Sequence, residues 1–377
     1  MKIRHFLRYP VDIARAKTML ADRCAETNSF DNRPLVLDLY TTDLLLDCGR
    51  HFAAIAHYAA QNQSAVVIRC RRVLLGAIAH KPFGGQMLEM ANVRWVSEKT
   101  ALPDNALVLT DVAKENASRD TGRASVVELL ISKDVLEHCP VMPYPMHPGV
   151  LPHASDTTLG AARKTEGRRG IFFAGSQRAK YGREVLRQGF GVLNRIEILE
   201  FVRETFSSRV VTSAVESNVR MPVVLPARAD SKAAPPISIQ EWLPMLAKHQ
   251  FFLCCPGIAQ PMCHNVVESM SVGTIPIIEY PERFSPQLTD GVNAVCYQGR
   301  GGLREAIDRI DQMNDEEICQ LSRNVMSHYD QHLDATQFMA DLIHSSDERG
   351  VQQICLPFHD ENLTGTRTFL QQQSRAA

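Results

Sequence analysis

Residues Phe251 to Tyr280 hold the densest set of groups able to do chemistry. They read Phe-Phe-Leu-Cys-Cys-Pro-Gly-Ile-Ala-Gln-Pro-Met-Cys-His-Asn-Val-Val-Glu-Ser-Met-Ser-Val-Gly-Thr-Ile-Pro-Ile-Ile-Glu-Tyr. The pattern predicts a buried strand, a glycine-bearing loop, a helix closed by a glycine, and a second buried strand. The start of a helix leaves backbone N–H groups without intrahelical partners, so the loop at Pro256 and Gly257 offers an anion cradle. Pro261 suits the first helical position and Gly273 the residue just past the end. At about 100° per residue, Cys263, Val266, Val267 and Met270 share an apolar face, while His264, Glu268 and Ser271 share another. Glu268 is therefore expected outside the apolar stripe, near the loop edge, with His264 and Asn265 in the first turn.

Two other stretches carry spare polar groups. After an apolar run at Gly170–Ala174 comes Gly175-Ser176-Gln177-Arg178-Ala179-Lys180-Tyr181-Gly182-Arg183, a short basic segment. Earlier, Asp47-Cys48-Gly49-Arg50-His51 places an acid and an imidazole around a glycine turn. Either could accept a hydroxyl proton, although loop or capping roles fit the same residues.

The elements that must position these groups alternate. Strand patterns at 34–40, 64–70, 93–96, 106–110 and 126–131, the last of which also reads as helical, are interleaved with helical ones, which points to parallel α/β architecture. Pro140, Pro143, Pro145, Pro148 and Pro152 then crowd one short span. Prolines at that density resist helix and central strand and predict a stiff crossover. The expected organisation is a first Rossmann-like lobe over 1–150, a proline-rich and polar linker over 151–169, a second lobe over 170–334, and a C-terminal helix and tail over 335–377 that could return to the first lobe. Two such lobes would face a central cleft, with ligands at the carboxyl ends of their strands.

Composition narrows the classes. The 377 residues are 45% hydrophobic, enough for two cores, and the formal net charge is −1, which argues against bulk-charge binding of nucleic acid. Ten cysteines are scattered without a CxxC pair. With no secretory leader in the sequence, they predict reduced thiols and a cytoplasmic protein. No apolar stretch approaches the ~20 residues of a spanning helix, so any membrane association would be peripheral, at the inner face.

Three segments together carry a family resemblance: Ser238-Ile-Gln-Glu-Trp-Leu-Pro-Met-Leu-Ala-Lys-His-Gln-Phe-Phe-Leu-Cys-Cys-Pro-Gly, Glu268-Ser-Met-Ser-Val-Gly-Thr-Ile-Pro-Ile-Ile, and Phe284-Ser-Pro-Gln-Leu-Thr-Asp-Gly-Val-Asn. In them the second half of the chain resembles GT-B glycosyltransferases, and among these the exostosin-like group. The resemblance implies a second lobe that binds a nucleotide-sugar donor, with Glu268 contacting the nucleotide ribose. It also implies a glycan or other hydroxyl acceptor. The chain departs from the family at Gln260, where retaining members often have glutamate, and at Asn265, where exostosin-like members often have arginine.

Such a transfer must stabilise a departing diphosphate. No Asp-x-Asp occurs, so no metal or other cofactor is expected. Arg178, Lys180 and Arg183 after Ser176, together with helix N-termini, would supply the positive charge. Asp47 or His51 would be the base of an inverting reaction. Cys254, Cys255 and Cys263 beside His264 match no usual zinc spacing. Two other classes remain: a catalytically silent nucleotide- or sugar-binding scaffold in a glycan-assembly complex, and another nucleotide-dependent α/β enzyme. Against the latter, no Gly-x-Gly-x-x-Gly follows an early strand.

Overall fold

The computed structural model describes residues 9–21, 32–45, 47–113, 124–130, 139–212, 218–226, 237–258, 260–344 and 351–356. These fall into two compact units. One takes in the described residues of Met1–Pro148 and Asp334–His359, the other those of Gly149–Leu333.

In chain order, the first unit runs through α1 (Tyr9–Ala21), β1 (Leu35–Asp38), α2 (Arg50–Gln61), β2 (Val66–Arg69), α3 (Arg72–His80), α4 (Pro82–Leu88), β3 (Val93–Val96), β4 (Leu107–Thr110) and β5 (Ser125–Leu130). The second follows with α5 (Asp156–Arg163), β6 (Ile171–Phe172), α6 (Val185–Phe190), α7 (Arg195–Thr205), β7 (Val210–Val211) and β8 (Val223–Val224). It continues through α8 (Ile239–Ala247), β9 (Phe251–Leu253), α9 (His264–Ser271), β10 (Ile275–Ile278), β11 (Val295–Cys296), α10 (Gly299–Gln312) and α11 (Asp315–His328). The chain then returns to the first unit with α12 (Ala335–His344) and β12 (Gln353–Cys355).

Each unit holds a six-stranded sheet, in the orders β12-β5-β4-β1-β2-β3 and β11-β10-β9-β6-β8-β7. Every strand pair in both is parallel. The fold is thus α/β with two Rossmann-like units. Parallel strands covered on both faces need apolar residues at successive positions, and Leu35–Leu37, Val66–Ile68 and Leu107–Leu109 supply them, all buried. Val36, Val67, Val108 and Val126 meet Leu102 and Ala106 in one cluster. The polar residues that end these runs, Asp38, Arg69 and Thr110, gather at the carboxyl edge of the sheet.

The linker expected over 151–169 has a different character. It contains a 3-10 turn at Leu151–His153 and the helix α5. Ser155 caps α5 by accepting from Thr158 N, and Arg163 at its end makes a two-pronged pair with Asp330. Four of the five prolines precede this segment and Pro152 sits in its opening 3-10 turn, so proline stiffness does not extend into α5. Strand β8, bounded by Pro222 and Pro226, is only two residues long. Prolines suit a strand of two residues because they flank its hydrogen-bonded positions.

Gly170 joins α5 to the second sheet at φ +75°, and a Cβ there would sit 2.4 Å from the Pro222 carbonyl oxygen. Its own carbonyl accepts from Phe251 N, at the start of β9. Gly170→Ala is expected to cost roughly 2 kcal/mol or more, from left-handed strain plus displacement of β8. Urea unfolding of both proteins measures it.

Candidate functional site

In the second sheet the chain lays β7 and β8 on one side of β6, and β9, β10 and β11 on the other. The direction of winding reverses between β6 and β9. In open parallel sheets such a reversal parts the loops at the strands' carboxyl ends and opens a ligand crevice. The loop after β6 is Phe173-Ala174-Gly175-Ser176, and that after β9 is Cys254-Cys255-Pro256-Gly257. The two stretches singled out by sequence are therefore neighbours at the switch point.

Arg195, which the sequence reading passed over, ties them together. It is the first residue of α7 and only 5% exposed. Its Nη1 donates to the Ser176 carbonyl at 3.1 Å and its Nη2 to the Pro256 carbonyl at 2.9 Å. The guanidinium carbon lies 4.0 Å from the centre of the Tyr181 ring and 5.8 Å from that of Phe173. Its Nε is buried without a hydrogen-bond partner, and no carboxylate pairs with it among the described residues. A buried cation without a counter-charge costs several kcal/mol. Two carbonyls and two ring faces offset part of that cost and leave a site of uncompensated positive charge that favours an anion. Asn265 also bridges the loops, its Nδ2 donating to the Ala174 carbonyl at 3.5 Å, while its Oδ1 is buried without a partner.

Around this core lie the other residues named from sequence. Ser176 Oγ accepts from Arg178 Nε at 3.0 Å, which folds that exposed side chain back over its own loop. Lys180 Nζ is 5.4 Å from the centre of the same Tyr181 ring, and Arg183 is exposed. Gly257 closes a tight return in which a Cβ would come 2.8 Å from the Gln260 carbonyl. The amide of Gln260 turns onto its own loop, donating to Met262 O and accepting from Met262 N, both at 2.8 Å. Helix α9 starts at His264, three residues later than expected, with Pro261 in the loop and Cys263 as a cap that makes no side-chain bond. Its N-terminus is thus left without a side-chain cap. The N-terminus of α7, in contrast, is closed by the reciprocal Asn194–Glu197 capping box.

Glu268 is not the exposed acid expected from helical angle. It is 0% exposed, and its Oε2 accepts from Trp242 Nε1 at 2.6 Å. The angular argument allowed α9 one covered face, whereas every residue from Asn265 to Ser271 is buried, with α8 and α11 packed on it as well as the sheet. Trp242, expected in the core, is only half-buried and serves as the donor that holds this carboxylate.

In the first unit, Asp47 accepts from Gly49 N and His51 N, both at 2.8 Å, so its two oxygens cap the start of α2. The loop is at the carboxyl end of β1, but this acid is committed to backbone amides and is 5% exposed. His51 is 1% exposed, its ring edge-on to Tyr144 with centroids 6.0 Å apart. Burial, helped by the Arg50 charge, pulls its pKa down to about 3. In this arrangement Asp47 holds the start of α2 and the His51 ring packs inside the first unit. Glu279 likewise accepts from Leu193 N and Gly299 N, and burial raises its pKa despite those bonds. Asp290 pairs with Arg309, which holds its carboxyl below the usual range.

Among the described residues no group of three or more His, Cys, Asp or Glu side chains could hold a metal ion. No described helix is long and apolar enough to cross a membrane.

No family model matches the chain, and no curated protein does. Solved structures do resemble it at a distance. A glycosyltransferase from Rickettsia africae is 8% identical with a TM-score of 0.43, covering 84% of this chain and 100% of that one. HepE from Anabaena in complex with UDP is 14% identical with a TM-score of 0.38, over 83% and 100% of the two chains. Sucrose-phosphate synthase from Thermosynechococcus elongatus is 10% identical with a TM-score of 0.37, over 82% and 97%.

Two outcomes follow from these contacts. Trp242→Phe keeps an aromatic ring but removes a donor from the buried Glu268 carboxylate, and should lower stability by about 1–3 kcal/mol, read from denaturant midpoints. For His51 the folded pKa lies below the unfolded value. Its contribution is therefore full above the unfolded value of about 6.5 and is lost as pH falls towards about 3. His51→Gln should unfold with a shallower loss of stability between neutral pH and pH values near 4 than the parent chain.

Proposed function

We propose that the chain is a GT-B glycosyltransferase that moves a sugar from a nucleotide-sugar donor to a hydroxyl of a glycan or related acceptor, without a metal. The observation that carries this reading is Arg195, a buried guanidinium with no acid partner among the described residues that joins the two loops at the switch point of the second unit. A nucleoside diphosphate is the ligand such a site favours. In the transfer, the bond from the anomeric carbon to the diphosphate oxygen breaks as the acceptor oxygen bonds to that carbon, and negative charge grows on the leaving diphosphate. Fixed positive groups stabilise that charge most where water is excluded.

On this reading Arg195, Arg178, Lys180, Arg183, Ser176, Gly257 and the uncapped start of α9 with His264 and Asn265 face the phosphates. Glu268, held by Trp242, is the ribose ligand. The proton of the acceptor hydroxyl goes to a base, for which Asp47 and His51 are the residues named from sequence. Cytoplasmic action on a peripheral membrane-bound or soluble glycan acceptor is consistent with the same reading. A second reading draws support from the enclosure of those two side chains: a nucleotide- or sugar-binding scaffold that assembles with glycan-building enzymes and turns nothing over.

Calorimetric titration with nucleoside diphosphates tests the proposal. Binding is expected, and Arg195→Lys, which keeps the charge but loses the fork, should weaken it about tenfold or more. Glu268→Ala should weaken it as well. If no nucleoside diphosphate or sugar nucleotide binds even at millimolar concentration, the transferase reading falls. Binding without transfer or slow hydrolysis of any donor would favour the scaffold.

A further inference from the structure

Cys139 and Cys355 are 216 positions apart in sequence, yet their Sγ atoms approach to 2.9 Å. Both are free thiols and both are buried, at 8% and 3% exposure. The backbone on each side is fixed. Cys355 N donates to the Pro140 carbonyl at 2.9 Å, and Met142 N donates to the Cys355 carbonyl at 2.9 Å. Val141 and Cys355 form a parallel bridge, and on its other side β12 is in register with β5 through Cys355 and Leu130. A disulfide holds its sulfurs about 2.05 Å apart, so roughly 0.9 Å of further approach turns this contact into a bond. No other pair of described thiols is in such contact.

We propose that Cys139 and Cys355 form an oxidative modification site, converted to an intrachain disulfide by a low-molecular-weight disulfide such as oxidised glutathione. The thiolate of one cysteine attacks a sulfur of the oxidant, whose S–S bond breaks and releases one glutathione thiolate. The second cysteine's thiolate then attacks the protein-side sulfur of the mixed disulfide and expels the second glutathione. Two protein thiols are oxidised, one small disulfide is reduced to two thiols, and the two protons pass to the glutathione sulfurs.

The position gives the bond its effect. Cys139 lies where the first unit hands over to the second, and Cys355 lies in the strand with which the chain re-enters the first. The link would close a loop that holds all described residues of the second unit, joining the two separate segments of the first. Long closed loops remove the most freedom from the unfolded chain. Burial, reinforced by the neighbouring Cys355 thiol, pushes the Cys139 thiol up to about 12. Exchange therefore proceeds through local opening of β12, a strand of three residues.

The full-length protein, incubated in glutathione buffers from fully reduced to fully oxidised, is acid-quenched, unfolded and alkylated, then digested without reduction for mass spectrometry. The expected product is a peptide pair carrying Cys139 and Cys355, lighter by two hydrogens and reversed by dithiothreitol. Cys254 and Cys255 should remain alkylated. Cys139→Ser and Cys355→Ser should each abolish the product, and the oxidised parent should migrate faster on a non-reducing gel. A parallel incubation in mild urea, which loosens β12, should speed formation. If Cys139 and Cys355 are recovered fully alkylated, or only as glutathione adducts, in both incubations, the proposal is overturned.

Discussion

The guanidinium of Arg195 is the constraint around which the second unit is arranged. Its two Nη groups fix carbonyls on loops that leave different strands, so neither loop can move without breaking a charge-assisted bond. The capping box at Asn194 and Glu197 sets where α7 begins, and so sets where Arg195 leaves the backbone. Phe173 and Tyr181 supply ring faces rather than carboxylates, which keeps the charge unneutralised. Cys255 feels the same field: burial pushes its thiol up to about 12 against the opposing pull of Arg195 and Arg203.

The first unit solves the same topological problem with the opposite outcome. Its winding reverses between β1 and β4. There Arg69 has an acid beside it, Asp38 at 3.5 Å, and Asp111 accepts from Tyr40 N, Thr41 N and the Thr41 hydroxyl. Asp47 closes the start of α2 in the same way. Amides and a cation that could bind an anion are thus already answered by acids of the chain itself. The contrast is between Arg69, which faces Asp38, and Arg195, which faces no carboxylate among the described residues.

Much of this was legible in the residues. The all-apolar runs at Leu35, Val66 and Leu107 read as strands because parallel strands bury both faces. The loops of Ser176 and Gly257 were found because glycine and polar residues follow apolar runs there. The errors have physical causes. Glu268 was turned outward because periodicity reports one covered face, and α9 is covered on every side. Strands of two residues, β8 among them, carry too little pattern to be seen. Arg195 gave no signal at all: an arginine after a helix cap looks like a surface residue, and its burial is decided by two loops distant in sequence. Asp47 and His51 have the chemistry of a base, and only the structure reveals the amide bonds of the one and the burial of the other.

The return of the chain to the first unit through α12 and β12 has a consequence for synthesis. A ribosome emits β1 to β5 first, yet that sheet lacks its outermost strand until residues 353–355 emerge. The second unit is sequence-contiguous from α5 to α11 and can close its sheet earlier. The unit begun first is therefore the unit finished last, and in the interval β5 presents an unpaired edge to other chains. A nascent chain stalled before β12 carries that open edge, whatever the state of the second unit.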